Sequence, residues 1–290
     1  MNLNHLAIFH AVAREGSITL GAERLHISQP AVSKQLQELE KSLGTLLFDR
    51  LPRGVRLTET GELLESYARR LFGLEAEAES ALAEMRGLER GRLAVGASMT
   101  IGGYMLPDVL ARFHQKYPGI DLRLEIANTE EVQQRLIEGT LDVGLTEGFL
   151  EHPELEAMVF REDELVVIAP PNHPLLSEAP VTAERLCQEP FVVREEGSGT
   201  RAVVERAFAL RGLALQSAMS LGNIEAIKRA VAAGVGIAIV SALTVGLEVG
   251  AGRLAIVTVS DLAVRRPLHR LYLRGRHQGH AAIAFTAALG

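Results

Sequence analysis

The sequence is poor in residues that cross-link a chain or anchor it in a membrane. It contains one cysteine, Cys187, and no tryptophan among its 290 residues. A single cysteine rules out an internal disulfide and fits a reducing compartment, so we expect a cytoplasmic protein. The most apolar stretch, residues 230–249, is broken by glycines and a serine, and predicts a helix end, a buried strand and another helix rather than a membrane span. The first residues lack the basic and apolar pattern of a secretory signal.

The balance of charge is positive only at the start of the chain. The formal net charge is −6, which taken alone argues against nucleic acid as a partner. Residues 1–58, however, carry seven Lys/Arg against five Asp/Glu, whereas residues 59–90 carry four against eight. A positive module on an acidic body is typical of a protein that binds nucleic acid through one domain.

The first 58 residues predict three helices followed by a hairpin. The third helix opens at Gln29–Pro30, where a proline in the first turn loses no hydrogen bond. Its apolar face carries Val32, Leu36 and Leu39, and the small Ala22 precedes it where two helices would cross closely. Residues 52–54, Pro-Arg-Gly, then form a turn between two short apolar runs, which is typical of a β-hairpin wing.

The polar face of the third helix has two interpretations. A three-helix bundle could simply expose that face to solvent, as polar helix faces usually do. Amide and hydroxyl side chains at Gln29 and Ser33, however, can read base edges in the major groove. The arginines of the hairpin, Arg50, Arg53 and Arg56, suit phosphates or a narrow minor groove. Together these features favour a winged helix-turn-helix that binds double-stranded DNA.

A long linker helix is predicted from Glu59 to about Leu88. Its apolar residues alternate at spacings of three and four, the heptad pattern of a coiled-coil seam. Such a helix is about 45 Å long at about 1.5 Å per residue, and its stripe could pack on its own domains or on a second copy. We favour a dimerisation helix, a pseudo-palindromic DNA site and a hinge at Leu88–Arg92. The predicted seam consists of Leu64, Tyr67, Leu71, Leu74, Ala78, Ala81 and Met85.

After Arg92 short apolar strands alternate with amphipathic helices. Among the predicted strands are Glu164–Ala169 and Leu268–Leu273. This alternation predicts parallel sheets with helices on both faces, and about 200 residues fit two lobes better than one. Segments rich in Gly, Ser and Thr follow several predicted strands, near residues 98, 146, 198 and 222. Each could be an ordinary helix cap, and together they could form an anion site between the lobes.

The chain resembles the LysR-type transcriptional regulators over essentially its whole length. The N-terminal resemblance rests on Gly16-Ser17, Ala22, residues 28–33 (Ser-Gln-Pro-Ala-Val-Ser), Leu47-Phe48 and residues 57–61. The C-terminal resemblance rests on residues 96–100, Leu106-Pro107, residues 139–144 (Gly-Thr-Leu-Asp-Val-Gly) and residues 231–237. The residues expected at DNA are Ser28, Gln29, Pro30, Ser33, Lys34, Gln37, Arg50, Arg53 and Arg56. Those expected at the effector are Ser98, Met99, Thr100, Thr146, Glu147, Ser198, Thr200 and Asn223.

The resemblance implies an α+β multidomain architecture in three parts. These are a winged helix-turn-helix at residues 1–58, a linker helix at 59–90 and a two-lobed, periplasmic-binding-protein-like effector domain at 91–290. Lobe I would comprise about 91–162 and 266–290, and lobe II about 163–265. The implied assembly is a homodimer or a tetramer, with RNA polymerase as a further candidate partner. The effector's charge stays open with a lean to an anion, since Glu147 would repel an anion unless it is paired.

The sequence has two alternative interpretations, an enzyme and a solute-binding protein. An enzyme is disfavoured because no P-loop, Gly-x-Ser-x-Gly elbow or His-Glu-x-x-His motif occurs, and neither a cofactor nor a metal is expected. A turnover lost on Ser198→Ala would support that class. A transport-type solute-binding protein would suit the C-terminal half alone, but not the N-terminal module.

Overall fold

The protein is described here by a computed structural model that covers residues 2–51, 54–84, 91–150 and 152–289. It divides into two compact units. The first comprises residues 1–81 with 138–140, and the second comprises residues 82–137 and 141–290. No helix in the described ranges is long and apolar enough to cross a membrane.

The first unit is a small helical domain with a two-stranded wing. Phe9 and Phe48 pack in its core with ring centroids 5.2 Å apart. Gly21 allows the first two helices to approach closely, because a Cβ there would lie 2.7 Å from Cγ2 of Val12. The elements are α1 (Leu3–Glu15), α2 (Ile18–Leu25), α3 (Gln29–Leu43), β1 (Phe48–Arg50), β2 (Val55–Leu57) and α4 (Glu59–Glu84).

The predicted helix-turn-helix and wing are confirmed. Ser17 caps α2 by accepting a hydrogen bond from the amide of Leu20, and Pro30 lies in the first turn of α3. Strands β1 and β2 pair antiparallel, with Phe48 opposite Leu57. The amide of Val55 donates to the carbonyl of Gly16 at 2.9 Å, which fixes the wing to the end of α1.

The second unit contains nine strands and eight α-helices among its described residues. A π-helical turn, Ile101–Met105, precedes α5, and a 3₁₀ turn, Ala242–Thr244, precedes α11. The elements are β3 (Gly91–Ala97), α5 (Leu106–Lys116), β4 (Ile120–Ile126), α6 (Thr129–Ile137), β5 (Val143–Glu147), β6 (Leu155–Ala169), α7 (Pro174–Glu178), α8 (Ala183–Leu186), β7 (Pro190–Arg194), α9 (Gly199–Ala209), β8 (Gln216–Leu221), α10 (Ile224–Ala232), β9 (Ala238–Ser241), α11 (Gly246–Gly250), β10 (Ala255–Val257), β11 (Val264–Leu273) and α12 (His280–Ala287).

Two long strands join the lobes of this unit. The strand order is β10-β6-β11-β5-β3-β4, with β9 also on β6, and β7 and β8 pair separately. Lobe I holds β3–β5 with α5, α6 and α12, and lobe II holds β7–β10 with α7–α11. Phe113 and Phe285 pack at 5.5 Å in lobe I, and Phe191 and Phe208 at 6.1 Å in lobe II. Strands β6 and β11 each extend through both lobes and pair along ten positions of β11.

The prediction of parallel sheets is right for some strand pairs and wrong for others. Strand β3 is parallel to β4 and β5, but β11 is antiparallel to β5 and β6, and β6 is antiparallel to β9 and β10. The reason is topological: β6 carries the chain from lobe I into lobe II and β11 brings it back, so the two must run in opposite directions. The predicted strands Glu164–Ala169 and Leu268–Leu273 are only the ends of β6 and β11.

Candidate functional site

Helix α3 presents a polar surface on its exposed side. Val32, Leu36 and Leu39 are buried in the core of the first unit, so the helix cannot rotate without exposing them. Gln29, Ser33 and Gln37 are spaced four residues apart and therefore share the opposite side. Ser28, Gln29, Pro30, Lys34 and Gln37 are exposed and Ser33 is half-buried. Ser28 does not use its side chain to cap the helix.

The wing contributes exposed cations to the same unit. Arg50 and Arg56 are exposed, and Arg56 lies 3.3 Å from the carboxylate of Asp49 on the facing strand. The third predicted wing residue, Arg53, lies outside the described residues. A surface ion pair of this kind contributes little and leaves the guanidinium available to other anions.

The residues of the predicted seam on α4 are half-buried at the start of the helix and exposed farther along it. Leu64 is half-buried against the core of the first unit. Tyr67, Leu71 and Leu74 are 59%, 36% and 65% exposed, and Ala78 is exposed as well. The side chain of Ala81 and the whole of Met85 lie outside the described residues. An open apolar stripe of this length is uncommon on a monomer and marks an interaction surface.

A fully buried arginine lies at the centre of the second unit. Arg266 is 1% exposed and is paired directly opposite Asp163 in the register of β11 and β6. Its Nε donates to Oδ2 of Asp163 at 2.8 Å, and its Nη2 lies 2.7 Å from the same oxygen. The other oxygen of Asp163 accepts from the hydroxyl of Ser241 at 2.7 Å. Both oxygens of this buried carboxylate are therefore satisfied.

The same arginine reaches three of the residues expected at the effector. Its Nη1 donates to the hydroxyl of Thr200 at 2.6 Å and lies 3.2 Å from Oε1 of Glu147. Its Nη2 donates to the hydroxyl of Thr100 at 3.2 Å. We call Thr100, Glu147, Asp163, Thr200 and Arg266 the Arg266 cluster. Since Thr100 and Glu147 belong to lobe I and Thr200 to lobe II, the cluster bridges the two lobes.

The sequence interpretation missed Arg266 and Asp163, although a signal for both exists. Along β11, Arg266 alternates in phase with Val264 and Leu268, which are both buried. Along β6, Asp163 is likewise in phase with the buried Leu165. A charged residue at an apolar strand position indicates a paired buried charge. The predicted strands begin at Glu164 and Leu268, one residue after Asp163 and two residues after Arg266. Neither charged residue was therefore part of a predicted strand.

The remaining predicted effector residues are not members of the Arg266 cluster. Ser98 and Ser198 are buried and accept hydrogen bonds from the amides of Ile101 and Arg201, which are capping contacts. Thr146 is buried but pairs with His269 on the opposite face of β5 from Glu147. Met99 is half-buried, whereas Asn223 is exposed and caps α10. Burial lowers the pKa of His269, so this imidazole is neutral near pH 7.

The lobes touch beside the cluster through the first turn of α9. A Cβ at Gly199 would lie 2.1 Å from the carbonyl oxygen of Glu147, so only glycine permits this approach. The hydroxyl of Thr129 accepts from the amide of Gly199 and donates to the carbonyl of Glu147, both at 3.3 Å. The first turn of α9 also carries Thr200, whose hydroxyl belongs to the Arg266 cluster, so the N-terminus of this helix lies beside the cluster, and a helix N-terminus favours negative charge.

A second polar group spans the lobes near α10. Lys228 is 4% exposed and donates to the Tyr104 hydroxyl at 3.1 Å and to Oε1 of Glu248 at 2.7 Å. Tyr104 in turn donates to Glu225. Burial and the bond to Glu225 raise the pKa of Tyr104, and the bonds to Lys228 and Tyr104 lower that of Glu225. Burial alone would lower the pKa of Lys228, but its hydrogen bonds outweigh burial and raise it.

A groove of about 390 Å³ opens between α6 and the start of α9. Its lining includes Glu130, Glu196, Glu205 and Arg201, and Arg201 is paired with Glu205 at 2.7 Å. This rim is acidic. The Arg266 cluster differs from this groove because it holds a guanidinium and two hydroxyls beside its two carboxylates.

Comparison with known proteins identifies the family. The LysR substrate binding domain matches residues 86–290, and the bacterial regulatory helix-turn-helix of the lysR family matches residues 3–62. The chain belongs to the LysR family of transcriptional regulators. The RuBisCO operon transcriptional regulator of Allochromatium vinosum is 41% identical over 285 residues, which cover 98% of this chain and 94% of that protein.

Solved structures of LysR proteins agree with the fold. The regulatory domain of Synechocystis CcmR in complex with 2-PG is 32% identical, with a TM-score of 0.65, over 69% of this chain and 96% of that one. Full-length CbnR complexed with its target DNA is 24% identical, with a TM-score of 0.69, over 100% of this chain and 99% of that one, and supports the fold alone. This LysR protein is therefore a DNA-binding transcriptional regulator with an effector-binding domain.

Proposed function

We propose that this LysR protein regulates transcription as a homo-oligomer whose effector is a small organic anion bound between the lobes at the Arg266 cluster. The observation that carries the proposal is the buried guanidinium of Arg266, held among the hydroxyls of Thr100 and Thr200 beside the N-terminus of α9. Pairing with Arg266, which also pairs with Asp163, offsets part of the negative charge of Glu147 and so reduces the repulsion of an anion. The 2-PG (2-phosphoglycolate) bound by the CcmR relative supports the same chemistry.

A ligand in the cleft would act on the regulator through the arrangement of the two lobes. A ligand that prefers one arrangement of the lobes shifts the regulator toward it, in proportion to its differential affinity. Because relatives of this chain are transcriptional regulators, we propose that the cleft binds its ligand without turning it over. We also propose that the protein is cytoplasmic and that it contacts RNA polymerase.

Calorimetric titration with 2-PG tests the site. Wild-type protein should bind, and Thr100→Ala should weaken binding about 10-fold to 150-fold, since a hydrogen bond to a charged group contributes about 1.5–3 kcal/mol. Thr100→Ser should restore most of the affinity because it keeps the hydroxyl. Ser217→Ala, at an exposed position of β8, is the matched control. Equal affinity of Thr100→Ala and wild type would place the site elsewhere.

The DNA-reading residues are proposed to divide their roles. Gln29→Ala or Ser33→Ala should relax the base preference, with about 1–3 kcal/mol of discrimination lost where a bidentate base contact is removed. Lys34→Ala should weaken binding to every sequence and reduce the log–log salt slope by about 1. Lys41→Ala, about 10 Å farther along α3 from Lys34, is the control. Selection from a randomised half-site library measures the base preference, and DNA affinities at several salt concentrations measure the slope. Retained preference in Gln29→Ala and Ser33→Ala would remove these residues from the reading surface.

A further inference from the structure

We propose that Glu147 makes the cleft selective for ligands that bring a proton, so that a phosphate-type effector binds as the form that still carries its last acidic proton. This inference rests on the proposed anionic effector at the Arg266 cluster. It concerns which protonation state of that ligand the cleft accepts.

The two oxygens of the Glu147 side chain are in different situations. Oε1 accepts from the hydroxyl of Thr200 at 3.3 Å and lies 3.2 Å from Nη1 of Arg266. Oε2 is buried and has no hydrogen-bond partner among the described residues, and Glu147 as a whole is only 2% exposed. A buried carboxylate oxygen without a donor is costly, and a ligand in the cleft can supply that donor.

The neighbouring side chains are already committed. Nε of Arg266 donates to Asp163, Nη1 to Thr200 and Nη2 to Thr100, with distances of 2.6–3.2 Å. Among the described residues, Arg266 on β11 forms the ion pair with Glu147, and the same guanidinium pairs with Asp163 on β6. Helices α6 and α9 and the turn after β3 contribute hydroxyls there. His269 lies on the other face of β11, opposite Thr146.

The charge balance of the Arg266 cluster leads to the selectivity. The cluster holds one guanidinium and two carboxylates, so a fully deprotonated anion would meet uncompensated negative charge at Oε2. A ligand hydroxyl, or the remaining acidic proton of a phosphate ester, would instead form an O–H···O⁻ bond there. In the complex one proton lies between Oε2 of Glu147 and the ligand oxygen, and no other bond is made or broken.

Proton linkage follows from this arrangement. Phosphate esters lose their second proton near pH 6. Above that pH, binding must take up about one proton, and the affinity should fall about tenfold for each pH unit. Glutamine at position 147 offers an amide N–H in place of an acceptor, so it can bind the dianion without a proton.

Calorimetry with 2-PG at pH 6.5, 7.5 and 8.5, in buffers of different ionisation enthalpy, tests the proposal. Wild type should lose about tenfold in affinity per pH unit and take up about one proton, whereas Glu147→Gln should show little pH dependence and no uptake. Glu164→Gln, which removes an exposed carboxylate next to Asp163, should behave as wild type. The wild-type measurement stands alone if Glu147→Gln fails to fold. Wild-type binding that is independent of pH and releases or takes up no proton would overturn the inference and leave the anionic effector standing. Absence of binding at every pH would overturn the proposed effector itself.

Discussion

Replacing Arg266 with methionine is expected to destabilise the second unit by about 3–5 kcal/mol, because removal of one partner leaves buried carboxylates uncompensated. Asp163 and Glu147 are 5% and 2% exposed, so water cannot take over from the guanidinium. For a unit of this size, the melting temperature falls by about 2–4 °C per kcal/mol, so the expected decrease is about 6–20 °C. Thermal unfolding followed by circular dichroism measures it.

Two further variants show whether the cause is the buried charge. Arg265→Met changes the neighbouring residue of the same strand, which is exposed, and should leave the melting temperature within about 1–2 °C of wild type. The triple variant Glu147→Gln, Asp163→Asn, Arg266→Met should recover a large part of the loss, because it removes all three charges together. If Arg266→Met and Arg265→Met unfold at the same temperature, Arg266 does not hold the two lobes as described.

The double variant Leu71→Glu, Leu74→Glu is expected to convert the oligomer to monomers. These side chains are 36% and 65% exposed on the stripe of α4, and two carboxylates on each chain would repel across a two-chain seam. Because the second half-site is then bound independently, the affinity for a two-half-site DNA should fall by about 10²–10⁴. Sedimentation equilibrium and fluorescence anisotropy measure the two effects.

The control for the linker variant lies on another side of the same helix. Ser66→Glu introduces a carboxylate where the hydroxyl donates only to the carbonyl of Leu63 in the preceding turn. It should stay oligomeric with nearly wild-type DNA affinity. An oligomer that survives both Leu71→Glu and Leu74→Glu would show that the seam lies outside this stripe.

Local sequence patterns predicted the first unit well. The helical spacing of Val32, Leu36 and Leu39 determines which side of α3 is buried. The turn before Val55 determines where the two strands of the wing pair. Both features depend on residues that are close in sequence, so the sequence alone was enough to predict them. The break near residues 234–236 likewise separated α10 from β9, as expected.

The centre of the second unit depends on pairings that are far apart in sequence. Arg266 and Asp163 meet across 103 residues, and each lies in a charged run, residues 265–266 (Arg-Arg) and 161–164 (Arg-Glu-Asp-Glu), of the kind that is usually solvated. Strand direction was also predicted wrongly, because alternation of helices and strands does not show that β6 and β11 carry the chain in opposite directions. Glu147 was recognised as a difficulty for an anionic ligand, but its partner could come only from the fold.

The salt dependence of binding to the DNA upstream of the protein's own gene tests the central claim most directly: that paired α3 surfaces sit in a duplex groove. With six or more phosphate contacts per dimer, the log–log slope of affinity against salt should be about −5 or steeper. Protection should cover two half-sites separated by whole turns of about 10–10.5 base pairs. A slope near zero, or no protection anywhere in that region, would contradict the account.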